Sequence, residues 1–239
     1  LTEKYYTTRL VNMLANHMGP YLANCSLQDP GVSVHDGTDT LNIFGLIGQW
    51  AVVTNNGDDE IETAEISLPN GTRLTVSLET IGAAAIPIEL ELTPSAMLDY
   101  TNLMPLGFFH DRVLILHGPV GWQGVVSING RKLDIVAPED DEPFVIEHEE
   151  LLIVVINSDL AMRTWPLDDR VIFGPEFVGD MSDDGEYALS VSKAGSYAIL
   201  HLGDGKVSHK KVKSPSTKAP PAPRLGDWKR VSVCAEATV

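Results

Sequence analysis

The chain has only two cysteines in 239 residues, Cys25 and Cys234, which is neither a disulfide framework nor the paired spacing of a structural zinc site. Long apolar runs are missing as well. The longest aliphatic stretch, Leu151 to Ile156, falls far short of the about 20 residues that a membrane-crossing helix needs, so no membrane partner is expected. There is no Gly-x-Ser-x-Gly elbow for a serine nucleophile and no glycine-rich phosphate cradle. Basic residues are scarce through most of the chain: residues 1–200 hold 9 Lys and Arg against 30 Asp and Glu, whereas residues 201–239 hold 8 against 3. An acidic body repels phosphate backbones, and the basic tail carries Lys206, Lys210, Lys211, Lys213 and Lys218 without interleaved aromatics. Nucleic acid is therefore not expected as a partner, and the tail reads as a solvated linker lying against an acidic surface. Nothing in this inventory assigns a compartment.

What is present is enough for a core. Hydrophobic residues make up 44% and charged residues 21%, a globular balance that at this length accommodates one large β-sandwich or two smaller β domains. Leu10, Met13, Leu14 and Met18 recur at helical spacing before Gly19-Pro20 interrupts them, and such a stripe must bury itself on the β portion or on a neighbouring domain. From Val32 the period falls to two. Ala64, Ile66 and Leu68 precede Pro69-Asn70-Gly71, and Leu74, Val76 and Leu78 follow it, which predicts a hairpin. A second hairpin is expected around Asn129-Gly130 and a further turn at Asn55-Asn56-Gly57. Val113 to Leu116 and Leu151 to Ile156 are unbroken apolar runs, as expected of strands buried on both faces. Tyr187 to Val191 and Tyr197 to Leu202 are expected to form the last hairpin of this body.

The fold class expected is all-β, antiparallel sandwiches with one N-terminal helix and a Pro-rich C-terminal linker. The boundaries expected are a helix over residues 1–27, a sandwich region over 28–205 that is either one unit or two dividing near 93, a Pro/Lys-rich linker over 206–224, and the first strand of a further β module over 225–239.

Candidate sites are few. Glu147 and Glu149 point to one side of a strand and His148 to the other, so no metal centre and no cofactor is expected there. Asp183-Asp184-Gly185-Glu186 lacks the ordered ligands and distal Glu of a calcium loop. Asp99, Asp168, Asp169 and Glu176 are available carboxylates, but proximity in sequence does not make an acid/base pair, and no catalytic residue is assigned. Among Trp50, Trp122, Trp165 and Trp228, two sit in loops beside polar residues. Trp122 and Gln123 lie in the stretch Gly118 to Gly124, and Trp165 precedes Pro166 with Asp168 close behind. Sugars stack their C–H faces on aromatic rings and pair their hydroxyls with such neighbours, so Trp122, Gln123, Trp165 and Asp168 are the candidates for binding a saccharide. The competing role for a loop tryptophan is to cap the end of a sandwich.

Several motifs in order carry a resemblance: Thr2-Glu3-Lys4-Tyr5-Tyr6 leading a helix, Leu98-Asp99-Tyr100, the strand from Val113 to Pro119, the stretch Gly124 to Gly130, and Gly174-Pro175-Glu176-Phe177-Val178-Gly179. Together they resemble the region that follows the catalytic barrel in bacterial β-galactosidase-like glycoside hydrolases of the family 35 and family 42 type. The resemblance implies that the helix closes a (β/α)₈ barrel carrying both catalytic glutamates, that the sandwich region braces this barrel, and that the present chain is a piece of that larger protein. The barrel of the same parent chain and a saccharide are then the expected partners. The alternative is a free-standing carbohydrate-binding or cell-surface adhesion module. A purely structural spacer is a third reading.

Overall fold

A computed structural model describes residues 3–23, 31–35, 41–46, 50–55, 58, 61–79, 82–181, 187–190 and 196–211. The chain begins with α1 (Glu3–His17), and Gly19-Pro20 breaks it into a short α2 (Gly19–Ala23) where Pro20 falls in the first turn that tolerates it. A three-stranded sheet joins β1 (Ser33–Val34), β4 (Thr63–Ser67) and β5 (Arg73–Ser77) in that order. Six strands make the largest sheet: β2 (Leu41–Leu46), β3 (Trp50–Asn55), β6 (Ala83–Thr93), β7 (Ala96–Thr101), β10 (Gln123–Ile128) and β11 (Arg131–Val136). A four-stranded sheet runs in the order β12-β13-β9-β8, with β8 Met104–Phe109, β9 Val113–Gly118, β12 Phe144–His148 and β13 Leu151–Asn157. A short helix, α3 (Ser158–Ala161), leads to a second four-stranded sheet of β14 (Thr164–Pro166), β15 (Arg170–Phe173), β18 (Ser196–His201) and β19 (Val207–Lys211). The strands β16 (Phe177–Met181) and β17 (Tyr187–Ser190) pair with each other.

Three cores separate four layers. Val53, Ile86 and Ile88 of the six-stranded sheet meet Ile66 and Val76 of the three-stranded sheet in the first core. The second core sets Leu98, Val126 and Ile128 against Leu114, Leu116, Ile153 and Val155. The third sets Ile115, Val154 and Ile156 against Val171, Phe173 and Leu200. Alternate residues of β9 and β13 thus supply different cores, which is why both segments are continuously apolar. These two strands pair in parallel, from Leu152 opposite Val113 to Asn157 opposite Gly118, while the other strand pairs described are antiparallel. Burial on both faces is the usual setting for parallel pairing.

One strand changes sides. Ala84, Ile86 and Ile88 of β6 point into the first core, yet Leu90 and Leu92, which continue the same alternation, point into the second. Between them Glu89 has φ of 50°, a left-handed residue that turns the strand over. Glu89 and Glu91 stay exposed. Residue 93 ends β6 in a tight hairpin with β7, where Thr93 lies opposite Ala96.

The helical stripe is not unpartnered. Leu10 and Met13 enter the third core and Met18 the second, and the His17 ring lies 4.5 Å from that of Phe109 on β8. Of the two expected settings, the β portion is the one that buries the stripe.

The Pro69-Asn70-Gly71 and Asn129-Gly130 hairpins form as the alternation predicts, with Gly71 and Gly130 at φ of 84° and 75°. Asn56 and Gly57 of the third turn lie outside the described residues, as do Asp183 to Glu186, Trp228 and residues 212–239. The expected last hairpin is corrected. β17 pairs with β16, whereas β18 lies between β15 and β19 in another sheet. β19 occupies the start of the stretch expected as linker. Its polar and basic residues, Ser208, His209, Lys210 and Lys211, have the composition of an edge strand that discourages further pairing, and that composition hides its alternation.

The glycines of the stretch Gly118 to Gly124 have a packing role. A Cβ at Gly124 would lie 2.8 Å from Leu103 Cγ and Cδ1, and one at Gly118 would lie 2.9 Å from Leu103 Cδ2, so the wholly buried Leu103 is gripped between two side-chain-free positions. Gly124→Ala is expected to overpack this contact and destabilise the fold by about 1–3 kcal/mol, read as a lower urea midpoint with an unchanged slope. An unshifted midpoint would show that Leu103 relocates freely.

Candidate functional site

An open groove of about 600 Å³ lies where the free edge of β5 faces the β9–β10 loop. Arg73, Leu74 and Thr75 of β5 form one wall; the other comprises Val120 to Val125 with Lys132 and Asp134 from β11. The loop is held by backbone bonds: the Trp122 amide donates to Pro119 O at 3.0 Å, the Gly121 amide to Ala137 O at 3.2 Å, and the Ala137 amide to Trp122 O at 2.9 Å. Asn102 makes the floor. Its Nδ2 donates to Thr75 O at 2.9 Å and to Gln123 O at 3.2 Å, and its Oδ1 accepts from the Val125 amide at 2.6 Å. One buried amide thereby ties the three-stranded sheet to the six-stranded one.

The indole of Trp122 is half-buried against the second core, and its Nε1 is buried without a hydrogen-bond partner among the described residues. Gln123 is exposed beside it. Arg73 meets Glu65 at 3.4 Å across the hairpin, and Lys132 meets Asp134 at 2.8 Å along its own strand. The hydrogen bond from Lys132 to Asp134 raises the lysine pKa, and both of these ion pairs are solvent-exposed and weak.

The four saccharide candidates separate. Trp122 and Gln123 line the groove, but Trp165 is a clamp for α1. The Arg9 guanidinium lies 3.6 Å from the Trp165 ring centre, donates to Met162 O at 2.7 Å and also donates to Thr164 O. Trp165 Nε1 donates to Pro175 O at 2.8 Å, and Phe177 packs edge-on at 5.6 Å. Burial lowers the Arg9 pKa to about 10. The Tyr6 hydroxyl adds a bond to Glu176 at 2.9 Å, its own pKa raised by burial and by that bond. Asp168 is exposed, and its backbone oxygen accepts from His110 Nε2 at 2.8 Å. The expectation that Trp165 and Asp168 act as sugar contacts in a loop has this structural competitor, and no local pattern announces it, because Arg9 and Met162 are 153 positions apart.

The other carboxylates serve local structure. Asp99 accepts from Ser127 Oγ and from the Gly130 amide, each at 2.7 Å, and Asp169 holds Arg170, whose hydrogen bond lowers the carboxyl pKa. Glu149 accepts from the Asn129 side-chain Nδ2 at 2.9 Å and meets Arg131 at 3.2 Å, while Glu150 accepts from Ser95 Oγ at 2.7 Å, so Glu149 and Glu150 lock hairpin turns together. Among the described residues no three His, Cys, Asp or Glu side chains are placed to hold a metal ion. A second groove of about 290 Å³, lined by Glu89, Asp99, Tyr100 and Ser127, escapes sequence reading because its residues come from three strands.

No protein-family model matches the chain, and a search of curated proteins returns no match.

Among the described residues His117 is a deeply buried titratable group, 2% exposed with Nδ1 3.3 Å from Ser158 Oγ. Burial lowers its pKa from 6.5 to about 4. The unfolded chain takes up a proton near pH 6.5 that the fold refuses until about 4, so this contribution to stability is complete above 6.5 and is lost as the pH falls through that window. The loss is expected to total roughly 3 kcal/mol across the window. Urea unfolding at both ends of it, with His117→Gln alongside, checks this: the variant should lose less, and an identical loss would exonerate His117.

Proposed function

We propose that this chain is a non-catalytic β-sandwich accessory region of a glycoside hydrolase resembling β-galactosidase. In this reading it braces the catalytic barrel of the same parent chain through its N-terminal helix and sets the Trp122 groove at the rim of the saccharide cleft. The observation that carries the reading is the seating of α1. Leu10, Met13 and Met18 fill two cores while Arg9 and Tyr6 reach Met162 and Glu176. A domain joined to a helix fastened in this way takes a fixed orientation, which a flexible linker does not impose. The groove adds support: an indole flanked by Arg73, Thr75, Gln123, Lys132 and Asp134 combines the apolar surface and hydrogen-bonding groups that sugar sites use.

The second reading is a free-standing carbohydrate-binding or adhesion module. It is favoured by one observation: both walls and the floor of the groove come from this chain alone.

Calorimetric titration with a panel of galactosides and polysaccharides tests the groove. Saturable heat that weakens about tenfold or more in Trp122→Ala, with the fold intact, supports it, since truncating an aromatic anchor costs on the order of 1–3 kcal/mol. Absence of heat with every sugar removes the rim role. Turnover of a chromogenic β-galactoside by the chain itself would overturn the accessory reading. The coding sequence ahead of Leu1 separates the two readings: a barrel with two strand-end glutamates is expected for the first, a secretion signal directly ahead for the second.

A further inference from the structure

The hairpin phase decides which backbone groups of β5 face the groove. The Leu68 amide donates to Thr72 O at 2.8 Å and the Leu78 amide to Glu62 O at 2.7 Å, so the even-numbered residues of β5 spend their N–H and C=O on β4. Arg73 and Thr75 therefore turn theirs outward along the free edge. The outward carbonyl of Thr75 is already taken by Asn102 Nδ2, as is the carbonyl of Gln123 opposite. The outward amides of Arg73 and Thr75 have no partner among the described residues. Asn102 thus consumes acceptors from both walls and leaves donors.

Charge points the same way. The groove is lined by two cations, Arg73 and Lys132, and one carboxylate, Asp134, in a body where 30 acidic residues outnumber 9 basic ones. Arg73 touches Glu65 through a single nitrogen at 3.4 Å, leaving most of its donors to solvent, and its side chain is 68% exposed. The neighbouring groove lined by Glu89 and Asp99 has no basic side chain in its lining.

We infer that the Trp122 groove takes a saccharide bearing an anionic group, carboxylate or sulfate, seated between Arg73, Lys132 and the free amides of β5, with the sugar ring against Trp122. This rests on the reading that the groove meets sugar. Arg73 presents a planar fork of donors and Lys132 a point charge, and together they recognise an oxyanion that a neutral hydroxyl does not replace.

The test is titration of the chain with three oligosaccharides of equal length, an oligogalacturonate, a sulfated galactan fragment and a neutral galactan fragment, at low and at physiological ionic strength. Arg73→Gln and Lys132→Gln are measured beside the parent, with thermal unfolding to confirm the fold. The expected result is that at least one acidic sugar binds about tenfold or more tightly than the neutral one, as charge-assisted hydrogen bonds imply. The gap should narrow with salt, and each of the two variants should weaken the acidic sugar by a larger factor than the neutral one. Which acidic sugar binds better identifies the oxyanion. Equal or better binding of the neutral sugar overturns this inference and leaves the saccharide groove standing. No binding of any of the three overturns both.

Discussion

The parallel contact between β9 and β13 is the constraint on which the other layers depend. Each strand must present apolar side chains to two cores at once, so neither tolerates a polar residue where its side chain turns into a core. The exceptions lie at the shared end: His117, Asn157 and Gly118 fall in the last two residue pairs of the ladder. There Asn157 caps α3 by accepting the Leu160 amide at 2.7 Å, and His117 lies beside Ser158. Polarity begins where the ladder stops, and that same end adjoins the loop carrying Trp122.

Much of this was legible in the sequence, for physical reasons that also explain what was not. Period-two alternation reports a strand with one dry face, so the hairpins around Asn70 and Asn129 stood out; continuous apolarity reports two dry faces, and it marked β9 and β13. β19 did not stand out because an exposed edge strand has no dry face to advertise, and its lysines read as linker. The expected pairing of β17 with β18 fails for a related reason: neighbours in sequence are not neighbours in the sheet here, and β18 pairs instead with β15 and with that unadvertised edge. The left-handed turn at Glu89 left no trace, since a glutamate is an uncommon choice for positive φ and the alternation continues through it.

The candidate groove was half legible. Trp122 and Gln123 were visible as a loop aromatic with a polar neighbour. Arg73, Thr75 and Lys132 carried only the mark of outward strand positions, and Asn102 carried none, because its importance lies in joining backbones 27 and 21 positions away. Trp165 is the reverse case. A tryptophan beside Pro and Asp suggested a binding loop, but Arg9 covers its face and Pro175 holds its indole nitrogen.

The inversion of β6 at Glu89 makes that strand a shared beam. Its first half completes one core and its second half another, so loosening either core pulls on a backbone that the other requires. A layered protein of this size has the option of melting sheet by sheet. Here a continuous strand crossing between compartments couples their fates, and the cooperative unit extends from the three-stranded sheet to the middle layer without a seam at which the polypeptide can come apart.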